Sequence, residues 1–364
     1  MTVRPTIGVL GATGAVGRAV AVALAADSTV DLRLGARRSG DAAGVSEVEF
    51  SPEGLARFCS GCRVIVNGVG PPPALRRAVA AAARAAGADY VDPGGDGESL
   101  RDLAAAFRRG TAVIGAGVLP GLSGLIPRWL AQSDLGPPLR LTAYVATTDR
   151  MTMASAAEFL LSLDGGHGEA GAAWRAGTRI PRDLPPMGPT WIPFFPRPVR
   201  GHAYLSTEIE LLARSLPLAE VRWYHVFDAD GSILPVVSRL QRDLLHGGAL
   251  DDLADELRRA VELEMFGRVT TQQLVFELGG QVAGRPAHRV AVLRASSTYE
   301  LTAAVTTAAV HAIIQGALPA GVHYASEVLV PAIVDGLSTA AGVVGLHVLD
   351  RPLADFVELA QGAV

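Results

Sequence analysis

The sequence predicts an α/β chain, with a doubly wound parallel sheet over residues 1–123 followed by an α+β portion. Three observations carry this. The apolar run Ile7–Leu10 stops at a glycine-rich turn and gives way to helical periodicity. Short apolar runs and helical segments then alternate as far as Ala116, the order that builds a parallel sheet with helices on both faces. Beyond Ser123 the pattern changes to longer strands, an amphipathic helix and a hairpin.

The turn is Gly11-Ala12-Thr13-Gly14-Ala15-Val16-Gly17, a G-x-x-G-x-x-G spacing between a strand and a helix. That context is what a dinucleotide fingerprint requires. Gly11 permits the sharp turn, Gly14 lets backbone approach a pyrophosphate, and Gly17 lets helix and strand pack closely. The helix start offers unpaired N–H groups and a positive dipole end to phosphate. All seven residues are therefore candidate cofactor contacts.

A second strand is expected over Val30–Leu34. About 20 positions past the fingerprint, NAD-binding folds carry an acidic residue for the ribose hydroxyls. Here the strand leads into Gly35-Ala36-Arg37-Arg38. Two guanidiniums suit a 2′-phosphate through charge-assisted contacts, so the expected cofactor is NADP(H), with Arg37 and Arg38 as contacts. A short strand follows at Glu47–Phe50, and Ser51-Pro52-Glu53 begins a helix to Phe58. The next strand, Arg63–Asn67, runs into Asn67-Gly68-Val69-Gly70-Pro71-Pro72-Pro73. A strand end of this kind is where a loop crosses a bound cofactor, which makes Asn67, Gly68, Val69 and Gly70 further candidates. A helix at 74–86, a strand at 88–92, a helix at 99–109 and a strand at 112–116 complete the alternation.

Composition narrows the chemistry. The chain has 364 residues, 49% of them hydrophobic, enough for two domains or one with a large insertion. A net charge of −4 gives no basic surface for nucleic acid. All 32 Lys+Arg residues are arginine, which removes Schiff-base lysines, lysine acids or bases, and the Tyr-x-x-x-Lys pair of short-chain dehydrogenases. Cys59 and Cys62 form a C-x-x-C without a second pair, so no metal site is expected and packing is the reading for both. The first strand begins too early for a signal peptide, and the most apolar later stretch, 112–130, contains Pro120 and Pro127. These features lead to the expectation of a cytoplasmic protein with no membrane partner.

At Tyr90-Val91-Asp92 and Gly115-Ala116-Gly117-x-x-Pro120-Gly121-Leu122-Ser123 the chain resembles the saccharopine dehydrogenase-like NADP-binding family. The glycine turn, Gly35-x-Arg37 and the Asn67–Pro73 loop agree with it. Looser matches lie at Tyr299-Glu300-Leu301-Thr302-Ala303 and Gly316-x-x-Pro319-x-Gly321-Val322. The resemblance implies a Rossmann domain over 1–123 and an α+β substrate domain over 124–325, with 326–364 returning to the first domain. It also implies a nicotinamide oxidoreductase that makes or breaks a C–N bond of an amino-acid-derived imine. The saccharopine-cleaving branch uses a lysine–histidine pair. This lysine-free chain departs from that branch.

Candidate proton donors are few. Asp92 ends a strand at the carboxyl edge of the expected sheet, where it either touches ligand or caps its own loop. His202, beside Tyr204, and His167, in a glycine-rich loop, are the histidines off the core faces. Tyr299 begins a helix next to a Ser297-x-x-Glu300 capping box. The stretch 179–198, with its prolines and Trp191, Phe194 and Phe195, is expected to be a lid over substrate or an arm that docks a second subunit in a homodimer. The sequence thus suggests an NADPH-dependent reductase for the C=N bond of a small amine or amino-acid-derived metabolite. Two rivals stand beside it: a ketone or enoyl reductase, and a non-catalytic NADP(H)-binding sensor or interaction protein.

Overall fold

The computed structural model describes residues 4–71, 73–163 and 167–356. Pro72 of the expected cofactor loop, Gly165 and Gly166 beside His167, and positions 357–364 of the expected C-terminal return lie outside the described residues. The chain divides into two compact units.

The first unit holds residues up to Leu125 together with Tyr299–Ile333. Its strands are β1 (Thr6–Leu10), β2 (Asp31–Ala36), β3 (Val45–Glu47), β4 (Val64–Asn67), β5 (Asp89–Val91) and β6 (Thr111–Ile114). Between them lie helices α1 (Ala15–Ala25), α2 (Pro52–Cys59), α3 (Pro73–Ala85) and α4 (Gly97–Ala104), and α5 (Leu122–Leu130) follows β6. The sheet runs β3-β2-β1-β4-β5-β6, entirely parallel, with Gly321–Tyr324 added beyond β6. This is the doubly wound order whose direction reverses between β1 and β4. Ile7, Val9, Leu10, Val64, Ile65 and Val66 are fully buried, as the unbroken apolar runs of central parallel strands require.

The second unit holds Ile126–Thr298 and the chain from Val334 on. Its mixed sheet has Gly136–Thr148 at the centre, parallel to Glu220–Asp228 and antiparallel to Thr271–Val282. The hairpin Thr271–Val282/Arg285–Ala295 turns at Ala283 and Gly284, both with positive φ, the backbone that two-residue hairpins demand. Helices Met153–Ser162, Ile233–Leu245 and Leu250–Glu264 share an apolar cluster built on Leu160, Leu240 and Leu257.

Three expectations need correction. The chain returns to the first unit through Tyr299–Ile333, where Gly321–Tyr324 pairs with β6, so of the expected 326–364 only 326–333 lies there. From Val334 the chain belongs to the second unit, where Val343–Leu349 pairs with Arg285–Ala295. The proline-rich stretch is also not a free arm. Met187–Thr190 pairs with the strand Val199–Ser206, and Ile192 and Phe195 are buried with Val199, Val226, Val275 and Val292. Phe194 turns at positive φ, and its carbonyl accepts from Gln273 Nε2 (2.9 Å) and Arg294 Nη2 (2.8 Å). The aromatic pair belongs to this unit's own core. Trp191 alone of the three stays exposed.

Candidate functional site

Leu10, the last residue of β1, pairs with Gly35 of β2 on one side and Asn67 of β4 on the other. Three strand ends therefore finish level at the point where strand order reverses, the place where open α/β sheets bind ligands. Gly11 turns there with φ +79°, and a β-carbon on it would strike the Gly68 carbonyl. A β-carbon on Gly17 would overlap the Gly11 carbonyl. Both glycines are thus fixed by backbone packed on backbone. The Gly11 and Ala12 amides donate to the Gly35 carbonyl (2.8 and 3.1 Å), which pins the turn to β2. Gly14 caps α1 with no side-chain hydrogen bond, and the helix's first turn carries no acidic residue. Thr13 and Gly14 are exposed and Ala15 and Val16 half-buried. The helix start is therefore a bare set of backbone donors facing solvent, which suits a phosphate.

Arg37 and Arg38 follow β2 directly and are exposed. Among the described residues neither guanidinium has an ion-pair partner. Beside them Ser39 is held by Glu47, whose carboxylate accepts from the Ser39 amide (3.2 Å) and hydroxyl (3.1 Å). Glu47 is thereby engaged with its neighbour, and the two arginines remain available for an anion.

Asn67 and Asp92 are joined in one buried network. Asp92 is buried, and its Oδ2 accepts from Asn67 Nδ2 (2.9 Å), Arg76 Nε (3.0 Å) and Tyr90 Oη (2.7 Å). Its Oδ1 accepts the Gly94 amide at 2.9 Å. The Gly94 contact is the loop-capping role that was one of the two expected for Asp92, and the other carboxylate oxygen is shared among three side chains. Asn67 is also buried; its Oδ1 accepts from the Val69 amide at 3.3 Å. Its side chain holds the loop at Val69, and the Gly68 amide donates to the Leu10 carbonyl at 2.8 Å. Arg76 and Ser99 were missed by sequence reasoning. Arg76 left one signal: it stands on the buried stripe of α3 with Val79, Ala80 and Ala83.

The remaining candidates are split. Tyr299, half-buried, opens the first unit's second segment, near the start of the helix Thr298–Ile314. His202 lies in the second unit, directly opposite His225 across the pair Val199–Ser206/Glu220–Asp228. Desolvation lowers both imidazoles, His225 to about 4 with His202 beside it, so both are neutral near pH 7. His167 precedes the strand Gly168–Ala170, and its carbonyl accepts the Thr207 amide at 2.9 Å. The structure therefore places Asp92 and Tyr299 in one unit and His202 in the other.

Cys59 and Cys62 are buried free thiols; burial pushes Cys59 up to about 12 and raises Cys62. Such thiols are inert packing groups. Among the described residues no cluster of three or more His, Cys, Asp or Glu is placed to hold a metal, and no helix is long and apolar enough to cross a membrane.

No protein-family model matches the chain, and no curated protein is similar to it in sequence. Solved structures do match. Saccharopine dehydrogenase (L-Glu forming) from Saccharomyces cerevisiae superposes with a TM-score of 0.68 at 13% identity, over 96% of this chain and 100% of that one. An engineered D-amino acid dehydrogenase bound to NADP+ superposes with a TM-score of 0.50 at 15% identity, over 91% and 96%. The chain has the saccharopine dehydrogenase-like fold, from the parallel seven-stranded sheet through the mixed second sheet.

Proposed function

We propose that this chain, built on the saccharopine dehydrogenase-like fold, is an NADP(H)-dependent oxidoreductase. The reaction we assign to it is reduction of the C=N bond of a small amine or amino-acid-derived metabolite. One observation carries the reading: the bare, glycine-built lip at the β1/β4 switch point, with two unpaired arginines at the neighbouring strand end. The lip would hold the pyrophosphate by backbone N–H groups, and Arg37 and Arg38 would take the 2′-phosphate. The neighbour bound to NADP+ supports the same choice of nucleotide.

The bound nicotinamide would supply the hydride, and the chain's residues would orient substrate and exclude water. The preference for C=N rests on what the chain lacks. It has no lysine, buried Asp92 accepts from four donors, and desolvation lowers the His202 and His225 imidazoles. An imine protonates near neutral pH and needs no strong acid from the protein, whereas a ketone's developing alkoxide must be protonated or stabilised. The same shortage favours a second reading, a non-catalytic NADP(H)-binding protein. A screen of NADPH consumption against cyclic imines, and against amines with 2-oxo acids, separates the two. Turnover of an imine supports the first. NADPH binding without turnover on any of them supports the second.

A further inference from the structure

The buried network around Asp92 reaches both sides of the switch point. Arg76 is 9% exposed and comes from α3. Its Nε donates to Asp92 Oδ2 and its Nη1 to the Ser99 hydroxyl (3.4 Å). Ser99 donates through its amide and hydroxyl to Asp96, both at 2.7 Å, at the start of α4. Asp92 is in turn fixed through its backbone. Its amide donates to the Val113 carbonyl (2.8 Å) and its carbonyl accepts from the Ala116 amide (3.0 Å). The Ala116 carbonyl accepts from the Thr306 hydroxyl at 2.8 Å. On the other side Asn67 continues the path, joining Asp92 to the Val69 amide. The Gly68 amide donates to the Leu10 carbonyl at 2.8 Å, and the Gly68 carbonyl packs on Gly11.

We propose that Arg76 is a positioning residue for dinucleotide binding: through Asp92 and Asn67 it holds the 68–70 backbone against the Gly11 turn. This rests on the reading of the turn as a nucleotide site. The physical reason is charge. A buried carboxylate keeps its orientation only while hydrogen-bond donors and a charge partner satisfy it, and here Arg76 supplies the ion pair. Replacing Arg76 frees Asp92 to reorient, and Asn67 loses the acceptor that sets its amide. The loop then relaxes without any group in contact with nucleotide being changed. Arg76 acts through Asp92 and Asn67 and not on the group that distinguishes the two nucleotides, so its loss should weaken NADPH and NADH equally.

The test measures amide hydrogen exchange and nucleotide binding on the full chain carrying Arg76→Gln, Tyr90→Phe, Asn67→Ala, or Arg76→Gln with Asn67→Ala. Tyr90→Phe removes one donor to Asp92 while keeping the ring, and serves if Arg76→Gln does not fold. Each single variant should speed exchange at the Gly68 and Gly70 amides about tenfold, the worth of about one charge-assisted hydrogen bond. The β1 amides should not change. NADPH and NADH affinities should fall by one common factor, and the double variant should bind no worse than the weaker single one, as shared-path residues do. Unchanged exchange at Gly68 and Gly70 in both Asn67→Ala and Tyr90→Phe overturns the proposal, and so does acceleration that extends equally to β1. Additive losses in the double variant overturn it too. If the unmodified chain binds neither nucleotide while the variants still loosen Gly68 and Gly70, the cofactor reading fails and the network stands.

Discussion

Asn67 Nδ2 donates to Asp92 Oδ2 at 2.9 Å, tying the end of β4 to the end of β5 beside the point where strand order reverses. The two residues were candidates for different tasks, cofactor contact and proton transfer. Their contact joins the two strand ends through one buried hydrogen bond.

Substitution should reflect this. Asp92→Asn should lower thermal stability and weaken nucleotide binding, because three donors then converge on a neutral amide. His202→Gln and Tyr299→Phe should each lower turnover of an imine by less than about a thousandfold, since general acid catalysis contributes 10²–10⁴. Steady-state rates with NADPH in excess check this. Complete loss in a folded Tyr299 or His202 variant would identify a dedicated acid and favour a carbonyl substrate.

Gly17→Ala should disrupt the site more than its size suggests. The added methyl would overlap the Gly11 carbonyl, so either the turn or α1 must move. NADPH affinity should fall at least tenfold, about 1.4 kcal/mol, with little change in the second unit. Gly40→Ala meets no neighbour, although its positive φ makes it a control for strain alone. Fluorescence titration of both variants separates close packing from backbone strain.

The histidine pair gives the protein a pH dependence. His225 has its folded value near 4 and its ordinary value near 6.5. The unfolded chain takes up the proton first, so this contribution to stability is complete above about pH 6.5. It is lost progressively as pH falls toward 4, and its full size is about 3 kcal/mol. His202, also lowered, adds in the same direction. Denaturant midpoints should fall as pH drops from 7 to 4 in the unmodified chain, and fall less in His225→Gln.

The proline-rich stretch offers a contrast between two aromatic residues. Phe195→Ala empties a site in the second unit's core and should cost about 3–5 kcal/mol. Trp191 is 43% exposed, and Trp191→Ala should cost little stability. We expect a homodimer, with Trp191 in its interface. Light scattering across a dilution series checks this, and a monomer at all concentrations for the unmodified chain would contradict it.

What could be read in the sequence was local. The strand, the glycines and the following helix are contiguous, so their chemistry is written in one stretch, and Arg37 and Arg38 sit at a fixed interval beyond it. The Asp92 network draws on α3, β4 and β5, whose side chains meet only after parallel pairing brings those strands side by side. Asn67, Tyr90 and Asp92 stood out in the sequence, but Arg76 left only its place on an apolar helix stripe. Gly321–Tyr324 is four residues long, too short to show a period, and only its pairing with β6 reveals it as a strand. Val343–Leu349 was not expected as a strand, and its pairing with Arg285–Ala295 shows which sheet it joins. Prolines in 179–198 marked the absence of helix correctly, yet the burial of Phe195 depends on strands far along the chain.

The central claim is that Arg37 and Arg38 select a phosphorylated dinucleotide at the Gly11–Gly17 turn. Titrating the protein with NADPH and with NADH by fluorescence, alongside the Arg37→Ala, Arg38→Ala double variant, tests it most directly. The account predicts at least tenfold tighter binding of NADPH, a difference of about 1.4 kcal/mol within reach of one charge-assisted contact, and loss of that preference in the double variant with NADH affinity retained. Equal affinities in the unmodified chain, or a preference that survives removal of both arginines, would contradict it.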